Sequence, residues 1–192
     1  MKATLQTDRL VLRPLTLGDA KAFALYAGTE DVAPMTGSVP LPFPPMSAEF
    51  WITRKLAAAR MGMSHPYVIT LHGDMIGMID LFKRNPDGPL EIGYSLAKKH
   101  WNNGYSTEAC RAVIDEARDS LGATRIVAGV FADNPASIRL LLKLGFTAAK
   151  THEEWFSMAR MEKARGVNLT LDLHAPHTIA HTPGSEPRMS AK

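Results

Sequence analysis

The sequence predicts a mixed α/β fold, with a mostly antiparallel twisted sheet of about six to seven strands flanked by about four helices. Three observations carry that prediction. Three consecutive strand-like segments between Tyr67 and Leu96 are separated by short turns, the pattern of an antiparallel meander. The segment Ser106 to Leu121 places Ala109, Cys110, Val113, Ile114, Ala117 and Leu121 on one helical stripe. From Leu90 to Phe146 a strand, a loop, that helix, a strand and a second helix follow one another. The 192 residues suit one domain with a substantial core.

The elements follow in order. Leu10 and Leu12 alternate with Val11 and Arg13, so Arg9 to Leu15 is an opening strand. Thr16 to Ala27 is a first helix with Asp19 in its first turn. A proline-laden connection, Pro34 through Pro45, leads to Ser47, which is expected to cap a helix over Ala48 to Met61. Such a connection is either a wall of a binding site or a stiffened surface loop. Tyr67 to His72, Met75 to Arg84 and Pro89 to Leu96 form the meander, turning at Gly73-Asp74 and Asn85-Pro86-Asp87-Gly88. Ile126 to Ala132 is a short buried strand. Asn134 caps the next helix, Pro135 opens it and Gly145 stops it. Phe146 to Lys150 and Val167 to Leu173 are the last strands, and Glu153 to Arg165 carries no clear period. After Leu173 the composition shifts to Pro, Ser, Thr and His, so residues 1–173 are expected to form the domain and 174–192 a loose tail.

Composition narrows the function. An apolar share of 45% with 21% charged residues is that of a soluble globular protein. A net charge of +3, without a basic stripe or zinc-finger spacing, argues against a nucleic-acid partner. The single cysteine, Cys110, excludes an intrachain disulfide and suits a reducing compartment. Met1 to Arg13 is charged and alternating rather than a signal peptide, and no apolar run approaches a membrane span. These features predict a cytoplasmic protein with no membrane partner.

The loop Trp101-Asn102-Asn103-Gly104-Tyr105-Ser106 precedes the long helix. A turn glycine at a helix mouth offers free N–H groups and the positive end of the helix dipole, a phosphate-binding arrangement. No lysine–serine or lysine–threonine pair follows the glycine and no three-glycine series opens the unit, so neither a P-loop nor a dinucleotide fingerprint is present. Taken alone, Gly104 is better read as a turn glycine before a helix.

Taken together, Thr7-Asp8-Arg9-Leu10-Val11-Leu12-Arg13, Glu91-Ile92-Gly93-Tyr94-Ser95-Leu96, Gly104-Tyr105-Ser106-Thr107-Glu108-Ala109 and Asn134-Pro135-Ala136-Ser137 stand in an order that resembles the GNAT superfamily of N-acetyltransferases. Within it they are similar to the RimJ/RimL-type ribosomal-protein N-terminal acetyltransferases. The likeness runs from about Thr7 to Phe146. It implies that acetyl-coenzyme A is the cosubstrate and that no metal is needed. Backbone amides of Asn102, Asn103, Gly104, Tyr105, Ser106 and Thr107 would hold its pyrophosphate, backbone groups of Tyr94 and Leu96 its pantetheine by strand addition, and Asn134 would contact the pantetheine as well as cap its helix. Trp101 and Ser106 depart from the family's usual loop ends, and Asn102 stands where a second glycine is common.

Acetyl transfer to an amine needs a proton acceptor and a proton for the departing thiolate. The family's frequent tyrosine acid, four residues before the closing glycine, is Leu141 here. By resemblance to RimL-type members the acid is Ser137; otherwise Ser137 is a first-turn serine satisfying a backbone N–H. The Asn85 to Gly88 turn sets Asp80 opposite Gly93 and Phe82 opposite Glu91. Asp80, Glu91 and Ser95 then share one face, where diagonal neighbours lie about 7–8 Å apart, and Glu91, aided by Asp80, is the expected base. The alternatives are a solvated strand end for Glu91 and a salt bridge for Asp80.

Other candidates carry less. Cys110 lies in the apolar stripe and belongs to the core. His174, His177 and His181 have loose metal spacing without a fourth ligand, while His65, His72, His100 and His152 are isolated. His100, Lys98 and Lys99 either border the phosphates or form a solvated turn. Phe43, Phe50, Trp51, Met35 and Met46 either line an acceptor groove or pack in the core. The expected activity is acetyl transfer to a primary amine, either a protein N-terminus or a small molecule, by direct attack. A non-catalytic acyl-coenzyme A sensor on the same fold is the alternative, and a homodimer is a candidate assembly.

Overall fold

A computed structural model of the chain describes residues 1–173. The expected tail, with its three histidines, lies outside them. The elements are β1 (Leu5–Gln6), β2 (Val11–Pro14), α1 (Ala20–Ala27), α2 (Pro45–Arg60), β3 (Ser64–Leu71), β4 (Asp74–Phe82), β5 (Leu90–Leu96), α3 (Tyr105–Leu121), β6 (Arg125–Phe131), α4 (Pro135–Lys143), β7 (Thr147–Ser157) and β8 (Glu162–Asp172). The strands form one eight-stranded sheet in the order β1-β2-β3-β4-β5-β6-β8-β7. Every neighbouring pair is antiparallel except β5 and β6.

Alternation decides which side chains face which layer. Leu10 and Leu12 are 1% and 0% exposed against 39% for Val11. They join Ile79, Leu81, Ile92 and the α3 residues Ala109, Cys110 and Val113 in one core. On the opposite face Val68 and Met78 pack with Phe23 and Ala27 of α1 and Ile52 of α2. The sheet therefore sits between α3 and α4 on one side and α1 and α2 on the other. Each fully buried aliphatic side chain contributes about 1.5–3 kcal/mol of transfer free energy. No helix among the described residues is long and apolar enough to cross a membrane.

Three differences from the expected elements have local causes. The two-residue β1 adds a strand that its length concealed. Helix α2 starts at Pro45 with Pro44 as its N-cap, so Ser47 lies inside the first turn instead of capping it. Proline suits that start because its fixed φ is already helical and its missing N–H needs no acceptor there. The unplaced stretch around Glu153 to Arg165 belongs to a long β7–β8 hairpin, with an irregularity between Ala148 and His152.

Candidate active site

Strands β5 and β6 pair only at Leu90–Ile126 and Glu91–Val127. Beyond Glu91 they diverge, and the gap opens into a cleft of about 1560 Å³ lined by both strands, the loop before α3 and the start of α4. On its other side β5 stays paired with β4 through Leu96. Ala97 N–H donates to the Ile76 carbonyl. Since hydrogen-bonding direction alternates along a strand, the backbone groups of Tyr94 and Leu96 point away from β4, into the gap. Leu96 is only partly free: its carbonyl accepts from the Trp101 indole at 2.8 Å. Trp101, the residue that departs from the usual loop pattern, thus plugs one position along the open strand edge.

The loop has the shape an anion cradle requires. Gly104 is the N-cap of α3 with φ 79°, and no side chain caps the helix, so its first-turn amides have no side-chain acceptor. Asn102 has φ 62°, a left-handed conformation that asparagine tolerates better than most residues. The Asn103 side chain folds back to donate to the Trp101 carbonyl at 2.8 Å, leaving only its main chain for a ligand. Lys98, a candidate phosphate neighbour, instead pairs with Asp31 at 2.8 Å. His100 lines the cleft. Its imidazole is held below the usual pKa by partial desolvation and by Lys99.

Helix α4 begins at the cleft. The Asn134 side chain accepts from the Ser137 N–H at 3.1 Å, a regular cap. The Ser137 hydroxyl lies 2.7 Å from the Tyr94 hydroxyl. Burial pushes the Tyr94 phenol far above its ordinary pKa, outweighing the Ser137 hydrogen bond, so it stays protonated. Leu141 is fully buried, and the Cys110 thiol, also buried, is pushed up and kept neutral.

On the opposite face of β5 the expected register holds: Asp80 pairs with Gly93 and Phe82 with Glu91. Asp80, Glu91 and Ser95 share that face, yet the two carboxylates are not left free. Asp80 accepts from Lys55 Nζ at 2.6 Å, from Ser64 Oγ at 2.8–2.9 Å and from the His65 N–H at 2.9 Å. With both oxygens occupied, Asp80 anchors Lys55 and does not present a basic lone pair to an incoming amine. Arg84 Nε and Nη2 grip both Glu91 oxygens at 2.6 Å. Glu91 still lines the cleft at the point of divergence, and the Arg84 side chain that holds it is 72% exposed. Ser95 is hydrogen-bonded to the buried Tyr26 hydroxyl at 3.0 Å.

Residues 9–147 match the family model described as an acetyltransferase (GNAT) domain. The chain belongs to the GNAT acetyltransferase family. A curated relative is the uncharacterized N-acetyltransferase YoaA of Bacillus subtilis (strain 168), 33% identical over 74% of this chain and 81% of that protein. Among solved structures, the fold is similar to RimL, a ribosomal L7/L12 α-N-protein acetyltransferase in complex with coenzyme A. The TM-score is 0.77 at 15% identity, covering 88% of this chain and 98% of that one. It is also similar to Mycobacterium smegmatis RimJ in complex with a coenzyme A disulfide, with a TM-score of 0.74 at 21% identity, covering 85% and 81% of the two chains.

The cleft of this GNAT acetyltransferase contains residues that sequence reasoning missed. Trp155 and Glu154 of β7 line it, as do Lys55 and Arg54 of α2. A Cβ at Gly166 would overlap the Trp155 indole, and one at Gly129 would lie 3.1 Å from it, so the ring lies flat across two bare strand positions. Gly129 and Gly166 in neighbouring strands were the available signal, because glycine inside a strand often marks close approach by another group. Lys55 Nζ lies 4.4 Å from the Phe82 ring centre, and Trp51 packs tilted against Phe23 at 4.8 Å. Of the expected aromatic and methionine group, Phe43 is core, Trp51 and Met35 reach the cleft, and Met46 and Phe50 are exposed.

Proposed function

We propose that this acetyltransferase moves the acetyl group of acetyl-coenzyme A to a primary amine, a protein N-terminus or a small amine, by direct attack inside the β5–β6 gap. One observation carries the reading. Glu91 and Ser137 stand on opposite faces of the sheet, and the divergence of β5 from β6 opens both into one cleft. A proton acceptor and a proton donor thus flank a single opening, as amide formation with loss of a thiol requires.

The residues fit the cosubstrate. The uncapped amides from Asn102 to Thr107 and the positive end of α3 suit a diphosphate. The Tyr94 backbone and the Leu96 N–H form a free strand edge for the amide-bearing pantetheine arm. Asn134 contributes mainly by fixing the α4 start. Acetyl-coenzyme A supplies an activated thioester carbonyl whose transfer yields an amide and a free thiol. Glu91 receives the proton lost by the amine nitrogen as the new C–N bond forms, once Arg84 yields a lone pair or through one water. Ser137 gives its proton to the sulfur as the C–S bond breaks. Solvent restores both groups.

The Trp51, Trp155 and Met35 walls favour an amine with an apolar portion beside the nitrogen. RimL, whose name is that of an α-N-protein acetyltransferase, supports a peptide acceptor as the first to try. The test is a panel of small amines and N-terminal peptides, assayed for thiol release from acetyl-coenzyme A. An amine that accelerates release and gains the mass of one acetyl group in place of a hydrogen supports the reading. Thiol release that no amine accelerates removes it.

A further inference from the structure

The turn Thr7-Asp8-Arg9 has no part in the chemistry above, yet it is bound closely to the loop before α3. Arg9 Nη1 donates to the Asn103 carbonyl at 2.9 Å. Its Nε and Nη2 grip Glu108 Oε2 at 2.7 and 2.6 Å, and its main-chain N–H donates to Glu108 Oε1 at 2.9 Å. Thr7 Oγ1 donates to the same carboxylate at 2.5 Å. The guanidinium carbon stands 4.6 Å from the Tyr105 ring centre, and Nη2 is 3.4 Å from where a Gly104 Cβ would be. Arg9 is not among the residues lining the cleft, so it acts on the loop from behind.

We infer that Arg9 is a positioning residue for coenzyme binding, holding the Asn102 to Thr107 amides in their anion-binding arrangement and cancelling the charge of Glu108. The inference rests on the reading that this loop takes the diphosphate. An amide cradle works only when its carbonyls face away from the anion. The peptide units around Asn103 are flanked by left-handed residues at Asn102 and Gly104, so little besides a specific contact fixes which way they turn. Arg9 supplies that contact by holding the Asn103 carbonyl on the far side.

The second effect is electrostatic. Glu108 lies in the first turn of α3, where its charge suits the helix dipole but opposes a diphosphate at the same terminus. Burial disfavours its ionised form, yet hydrogen bonds from Thr7 and Arg9 outweigh that and keep it ionised. Arg9 neutralises the charge locally. A lysine would keep the charge without reaching both the carboxylate and the carbonyl, because it lacks the planar fork.

The experiment compares the full chain with Arg9→Gln, Arg9→Lys and Gly104→Val, using coenzyme A in calorimetry and two donors in turnover: acetyl-coenzyme A and S-acetylpantetheine, which has no diphosphate. Melting without ligand verifies folding. Arg9→Gln is expected to weaken coenzyme A binding about tenfold or more, raise KM for acetyl-coenzyme A in step, and leave kcat and the S-acetylpantetheine rate unchanged. Arg9→Lys should fall between. Unchanged coenzyme A affinity in folded Arg9→Gln overturns the inference, as does an equal loss with both donors. Gly104→Val separates the two levels. Its loss of affinity beside an unaffected Arg9→Gln removes only the role of Arg9, whereas retained affinity in Gly104→Val removes the loop assignment and the inference with it.

Discussion

The Tyr94 and Ser137 hydroxyls meet at 2.7 Å where β5 leaves β6, joining the strand edge assigned to the coenzyme to the first turn of α4. Because the phenol stays protonated, it can donate to Ser137 Oγ and leave the serine proton free to point into the cleft. Ser137→Ala should lower kcat by about 10²–10⁴-fold with coenzyme affinity retained. Tyr94→Phe should lower kcat less, and should add nothing in the Ser137→Ala background, since groups acting as a unit are not additive. Steady-state kinetics of the two single variants and the double variant check this. A fully active Ser137→Ala would leave Ser137 as a helix-start residue only.

Glu91 and Arg84 make the next prediction. Glu91→Gln should lower kcat by at least about 10²-fold. Arg84→Met, which frees both Glu91 oxygens, should retain turnover. If Arg84→Met instead abolished activity while Glu91→Gln did not, the arginine would be the working group and the base assignment would be wrong.

The pair Arg13–Asp19 gives a prediction about stability. Asp19 accepts from Arg13 Nη2 at 2.6 Å and from the Thr16 N–H at 2.8 Å. Burial opposes its charge, but the hydrogen bonds from Arg13 and Thr16 win and hold its pKa below the usual carboxylate value. A depressed folded-state pKa stabilises above the unfolded value, and that contribution disappears as pH falls through the folded value. Asp19→Asn should therefore cost about 1.5–3 kcal/mol at neutral pH, with the difference from the parent chain shrinking below about pH 4. Urea denaturation at both pH values measures it. A penalty independent of pH would contradict the ion-pair account.

Trp155 depends on glycine beneath it. Gly166→Ala should displace the indole, cost about 1–3 kcal/mol as overpacking does, and raise KM for the acceptor while coenzyme affinity holds. An unchanged acceptor KM in a folded variant would take Trp155 out of the acceptor wall.

Much of this arrangement could be read from local signals. The Leu10/Leu12 alternation and the α3 stripe are strong periodic patterns. The Asn85 to Gly88 turn was enough to place Asp80 opposite Gly93, because turn position sets hairpin register. Asn134-Pro135 and Gly104 marked two helix starts through their own backbone chemistry. The β7–β8 hairpin stayed hidden because its turn, Met158 to Met161, has no glycine, asparagine or proline, and Met161 itself takes the positive φ of 54°. The partners of the two carboxylates were also out of reach. Lys55 comes from the middle of α2, and Arg84 lies just beyond the end of β4, so neither pairing follows from strand alternation. The divergence of β5 from β6, which unites Glu91 with Ser137, is a property of strand pairing that side-chain pattern does not encode.

The central claim is that the loop before α3 binds coenzyme A through its main chain, and calorimetric titration of coenzyme A into the parent chain and Gly104→Val tests it most directly. At φ 79° a β-branched residue is strained, and its Cβ would stand 3.4 Å from the Arg9 guanidinium that holds the loop. The account predicts saturable binding to the parent chain and affinity at least about tenfold weaker in Gly104→Val. Equal affinity in the two folded proteins would contradict it.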